Sequence, residues 1–164
     1  MLKIRLATPS DAAALMRVHR EAVFAKAAGH YDPARLESWS PGATPDRVAR
    51  VEREIADPDF IVLVAEVEAE VVGFAMATPP QNKLQALYVK PNAEGRVGRA
   101  LLAEIEKRAF SAGASLLAFD ASLNAEAFYK ANGYTETGRA DYVSPSGEAS
   151  PAVQMQKERP LPTA

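Results

Sequence analysis

Apolar positions along this chain alternate between two periods. Leu2, Ile4 and Leu6 alternate with Lys3 and Arg5, which predicts a first strand. Thr8-Pro9-Ser10-Asp11 then carries a capping residue, a proline suited to a first helical turn and a carboxylate. The spacing of Leu15, Val18 and Ala22 predicts a helix from Pro9 to about Ala27, closed by Gly29–Pro33. Ala34–Trp39 reads as a short helical turn. Thr44-Pro45-Asp46 repeats the start signal, and Val48, Val51 and Ile55 extend a helix to Asp57-Pro58. The period then shifts. Phe60–Ala65 is nearly all apolar, as in a strand buried on both faces. Glu68–Glu70 reads as a hairpin tip, Val71–Ala77 as the return strand and Leu84–Val89 as the next strand. A helix over 99–112 places Leu102, Ile105 and Ala109 on one face. Leu116–Phe119 is a strand ending near Asp120-Ala121, Asn124 caps a short helix stopped by Asn132-Gly133, and Tyr134–Ala140 and Ala152–Lys157 are two late strands.

This order predicts an α/β (α+β) fold: a mixed, mostly antiparallel sheet of about seven strands with helices on both faces. Residues 84–121 form a β-loop-α-β unit, so its two strands should be parallel with a right-handed crossover. Ligands of such sheets sit outside the carboxyl ends of parallel strands. The ends of 84–89 and 116–121 are therefore the place to look.

Composition narrows the function. The length suits one domain, 1–158, with a short tail, 159–164. A net charge of -2 gives no support to nucleic-acid binding. The chain has no cysteine, which removes disulfides, thiolate metal sites and a cysteine nucleophile, and two histidines do not make a multi-histidine metal site. Charges interrupt the first apolar run and no stretch reaches the length of a membrane span, so the expectation is a cytoplasmic protein.

Two segments carry candidate chemistry. Strand 84–89 leads through Lys90-Pro91 into the loop Asn92–Gly98 and a helix starting near Arg99. Glycines before a helix N-terminus leave backbone N–H groups free to meet an anion, as in a phosphate cradle; an ordinary strand-to-helix turn would use the same residues. The second segment is Ser122–Tyr134. Asn124 reads as a plain N-cap, Phe128 as core and Tyr129 as a half-buried aromatic with a polar tip.

Leu87–Pro91, the glycine loop, Gly98–Leu102 and Leu123-Asn124-Ala125 with Phe128-Tyr129 and Gly133-Tyr134, in this order, resemble the GNAT superfamily of acetyl-CoA-dependent N-acetyltransferases. The resemblance implies a central parallel pair of strands that splays to bind acyl-CoA. It implies that the strand Leu87-Tyr88-Val89 holds the pantetheine arm and thioester carbonyl through the backbone of Leu87 and Val89. The N–H groups of Glu94, Gly95, Arg96, Val97, Gly98 and Arg99 would bind the pyrophosphate, and Asn124 the pantetheine. Tyr129 would be catalytic, protonating the departing thiolate. Acetyl-CoA would be the donor cosubstrate, an amine the acceptor, and a homodimer a common assembly. The chemistry requires no metal and no nucleophilic side chain, because a neutral amine attacks a thioester directly.

The loop departs from the family's Gln/Arg-x-x-Gly-x-Gly/Ala form. It is one residue short, and Glu94 stands where glutamine is common. A carboxylate beside a pyrophosphate is unfavourable unless it turns to solvent or pairs with Arg96 or Arg99. Asp120 and Glu66 are the candidate general bases. His30, Tyr31 and Trp39 are expected on the acceptor side, and His19 as a packed histidine. Other readings are an acyl-CoA sensor without turnover and a doubly wound protein binding another phosphate ligand.

Overall fold

The computed structural model describes residues 1–26, 29, 31–93, 95–143, 147 and 149–162. His30 and Glu94 lie outside the described residues. The alternating first strand, β1 (Leu2–Leu6), pairs antiparallel with β2 (Ile61–Val67). β2 returns as β3 (Glu70–Thr78) through Glu68 and Ala69, both at positive φ, 51° and 66°, as a tight hairpin turn demands. β4 (Lys83–Val89) and β5 (Leu116–Ser122) follow, and the late strands are β6 (Thr135–Val143) and β7 (Ala149–Glu158). They form one sheet of order β1-β2-β3-β4-β5-β7-β6 among the described residues, with β4 and β5 its parallel pair.

Both faces of the sheet are covered. Val62 and Val64 of β2 pack with Phe74 and Met76 beneath α1 (Ala12–Lys26) and α3 (Pro45–Ala56). Leu63 and Ala65 point the other way, into the cluster under α4 (Arg96–Ser111) with Leu101, Leu102 and Ile105. All four β2 residues are buried, which explains why the strand lacks a polar face. Local chemistry sets the helix starts. Thr44 accepts the Arg47 N–H (3.4 Å) at α3, and Asp32 accepts the Arg35 N–H (3.0 Å) at α2 (Pro33–Trp39). No helix among the described residues is long and apolar enough to cross a membrane.

Three boundaries differ from the sequence expectation. α4 begins at Arg96, not near Arg99, so Val97 and Gly98 lie in its first turn. The last two strands run longer because they pair with each other from Thr135↔Gln156 to Val143↔Ala149. Glu158 belongs to β7, and the Arg159 N–H donates to the Ser115 carbonyl (2.9 Å), so pairing extends into the expected tail.

Candidate active site

β4 and β5 are neighbours at one end only. Lys83 is in register with Ala118, whose N–H donates to the Asn82 carbonyl (2.9 Å). Asn82, at φ 54°, turns its side chain back to accept the Ser115 N–H at 2.9 Å. No further register pair forms and the strands part. A bulge in β4 accompanies the parting: Met76 faces Ala86 and Ala77 faces Leu84, leaving Gln85 as the extra residue. A bulge bends its strand and increases its twist. The Gln85 amide is tied to Thr78 Oγ1 at 3.0 Å. From Leu84 to Val89 the β5-facing edge of β4 is thus open, with backbone donors and acceptors that need partners. A ligand with amides of its own could lie there as an added strand does.

The α4 N-terminus stands beyond the end of β4. Gly95 occupies the cap at φ 94°, a conformation that favours glycine, and supplies no side-chain cap. The first-turn N–H groups of Arg96, Val97, Gly98 and Arg99 have no intrahelical partner. The first turn holds no carboxylate, and the exposed Arg96 and Arg99 add positive charge to the helix dipole. Val97 is different from its neighbours: its side chain is buried in the core, so only its backbone faces outward.

Asn124 and Tyr129 meet across the same cleft. Its walls include Leu87, Val89, Gly98, Phe128 and Ser122. Asn124 is not an N-cap. It sits within a 3-10 turn, Leu123–Ala125, and α5 (Glu126–Ala131) starts after it without a side-chain cap. Freed from capping, its Oδ1 is buried with no hydrogen-bond partner among the described residues. An orphaned acceptor beside an open strand edge is what a pantetheine amide would satisfy. A Cβ at Gly98 would make only ordinary van der Waals contact with the Phe128 ring, 3.6 Å away. The Tyr129 ring is clamped by Phe119, Phe128 and Tyr134 at centroid distances of 4.4, 5.1 and 5.5 Å. Burial pushes its hydroxyl well above the usual phenol range, so it is a neutral O–H at physiological pH.

A second recess is built from α2 and the residue Tyr31 before it, and from β4, β5, β6 and β7. Tyr31 and Trp39 line this recess with Gln85, Tyr88, Asp120 and Tyr142. Tyr31 also ties the wall together: its hydroxyl donates to the Pro151 carbonyl (2.8 Å) and accepts the Leu123 N–H (3.1 Å). The Tyr88 ring lies between His19 (4.4 Å) and Phe74 (5.7 Å), and burial raises its hydroxyl pKa. His19 is the packed histidine expected. Its Nδ1 is 2.6 Å from Ser40 Oγ, and burial together with Arg47 and Arg50 lowers its pKa to about 3.

The two candidate bases separate. Asp120 is exposed and reaches both the recess and the gap between β4 and β5. Glu66 is held by Arg5 at 2.7 Å, within a triad that also holds Asp11 at 2.8 Å and lowers its pKa to about 2. That triad is removed from the walls around Tyr129, so Glu66 serves structure. Gln85 went unnoticed in the sequence; a polar residue inside the apolar run 84–89 was the one available sign of the bulge.

These features agree with comparison to known proteins. A family model described as an acetyltransferase (GNAT) domain matches residues 27–158. The chain belongs to the GNAT family of N-acetyltransferases. This GNAT protein is 30% identical to a GCN5-related N-acetyltransferase from Rhodopseudomonas palustris, with a TM-score of 0.85 over 96% of this chain and 95% of that one. A ribosomal-protein-alanine N-acetyltransferase from Brucella melitensis is 29% identical, with a TM-score of 0.71 over 96% and 99% of the two chains. The PaiA N-acetyltransferase of Thermoplasma acidophilum, solved in complex with coenzyme A, shares the fold at 24% identity and a TM-score of 0.77 over 97% and 99%. No curated protein matches the chain significantly.

Proposed function

We propose that this GNAT protein transfers the acetyl group of acetyl-CoA to a primary amine of a small molecule or peptide, by direct attack in a ternary complex. The observation that carries the reading is the convergence of an open β4 edge, an orphaned Asn124 Oδ1 and a neutral Tyr129 hydroxyl on one cleft. Coenzyme A complexes among its structural neighbours support the same donor.

In this reading the backbone of Leu87 and Val89 orients the pantetheine arm and the thioester carbonyl, with Tyr88 between them. Asn124 accepts a pantetheine N–H. Gly95 and the first-turn N–H groups of α4 neutralise the pyrophosphate. The amine forms a C–N bond, the C–S bond breaks, and one amine proton ends on sulfur. Tyr129 donates to the developing thiolate and regains a proton from the amine side. Burial weakens the phenol as an acid, but it also destabilises the thiolate in the same cleft, so donation remains favourable. Asp120 is the described carboxylate placed to take the extra proton of an acceptor that arrives as an ammonium ion and pass it to solvent before attack.

Thiol release from acetyl-CoA over a panel of amines tests this. Amine-dependent release supports the proposal. CoA binding without release would assign an acyl-CoA sensor instead, and neither binding nor release would refute both.

A further inference from the structure

A larger recess, about 570 Å³, opens on the sheet face covered by α1 and α3. Met16, Phe74 and Met76 give it an apolar floor. It shares Trp39, Gln85, Ala86, Tyr88 and Tyr142 with the gap between β4 and β5, so the two spaces meet at the centre of the sheet. Arg47 and Arg50 stand on its wall, one turn apart on α3.

The charges facing this recess do not cancel. Glu54 lies 3.6 Å from Arg50 and interacts with Arg53 as well, and burial raises its pKa. His19 is neutral. Arg47 has no carboxylate partner among the described residues; one Nη donates to the Gly42 carbonyl at 2.9 Å. Burial and the neighbouring Arg50 both work against its charge. A half-buried guanidinium keeps donors in a fixed fork and gains most from an anion that can accept two of them.

We infer that the acceptor is an amino acid with an apolar side chain: its carboxylate meets Arg47, with Arg50 beside it, its side chain lies on Met16, Phe74 and Met76, and its amine is turned toward the β4–β5 gap. The inference rests on the acetyl-transfer reading and names its substrate class. The acceptors named for structural neighbours, an aminoglycoside and a ribosomal-protein alanine among them, differ too widely to choose one for this chain.

Matched pairs test it: L-phenylalanine against 2-phenylethylamine, and L-leucine against 3-methylbutylamine. The carboxylate-bearing member of each pair should have at least a tenfold higher kcat/KM. Arg47→Leu should bring that ratio toward one, mainly through KM, and Arg47→Lys should fall between. Equal use of both members, or a ratio that survives in Arg47→Leu and in Arg50→Leu, would overturn the inference while leaving acetyl transfer intact. Calorimetry on the CoA-saturated protein reads the same contact without turnover. N-acetyl-L-phenylalanine should bind at least tenfold more tightly than N-acetyl-2-phenylethylamine, and the preference should be lost in Arg47→Leu; equal binding overturns the inference. CoA affinity of each variant serves as the folding control. Absence of thiol release with every amine, alongside a carboxylate preference in the binding arm, would sink acetyl transfer rather than the site.

Discussion

Asn124→Leu should make the free protein more stable and the CoA complex weaker. Leucine has nearly the shape of asparagine and no polar atoms. In the free protein Asn124 Oδ1 is buried without a partner among the described residues. A buried acceptor left unmade costs about 1–3 kcal/mol. Part of the gain is offset by the lost Nδ2 hydration, so a net gain of about 1 kcal/mol is expected. For a domain of this size that raises Tm by about 2–4 °C. In the complex the pantetheine donor would instead lose its acceptor. The lost bond and the donor left without a partner together weaken CoA by about 1.5–3 kcal/mol, or roughly tenfold to a hundredfold. Scanning calorimetry of the free protein and titration with CoA measure the two effects on one preparation. A variant that loses Tm while binding CoA as tightly as the parent would refute the reasoning, because Asn124 would then be a structural residue.

Tyr129→Phe should lower kcat roughly a hundredfold, the ordinary share of a positioned proton donor, with little change in acetyl-CoA KM; a nearly intact rate would demote Tyr129 to packing. His19 gives a pH signature. Its folded pKa, about 3, lies below the unfolded value of about 6.5, so its contribution is complete above pH 6.5 and is lost as pH falls toward 3. Stability should fall by about 1.4 kcal/mol per pH unit in that window, and His19→Asn should flatten the slope between pH 6.5 and 5 in urea titrations; an unchanged slope would contradict this origin. Tyr31→Phe removes one donor to Pro151 and leaves the half-buried Leu123 N–H without its acceptor. It should cost about 1–3 kcal/mol in urea unfolding and raise the acceptor KM; an unperturbed midpoint would show that the tether is dispensable.

Much of the architecture was legible because its signals are local. The capping residue Thr44, the alternation of β1 and the doubly buried run of β2 all depend on neighbours a few residues away. What escaped depends on packing between distant segments. Gly98 reads as a loop residue because glycine is a poor helix former, yet it lies in the first turn of α4, near the Phe128 ring. Asn124 reads as a cap because that is the usual use of asparagine after a strand, but a 3-10 turn places the helix start beyond it. The bulge at Gln85 was hidden inside an apolar run, since it is defined by register against β3. Arg47 stands about forty residues before Tyr88 in the sequence, and only the packing of α3 on the sheet brings the two together.

The position of bound coenzyme A decides the assignment of the cleft between β4 and β5. A crystal structure of the protein with CoA measures this directly. The pantetheine arm should lie between β4 and β5, bonded to the backbone at Leu87 or Val89 and to Asn124, with the pyrophosphate at Gly95–Arg99 and the sulfur beside Tyr129. A pantetheine bound elsewhere, or a β4–β5 gap that closes instead of admitting it, would contradict the account.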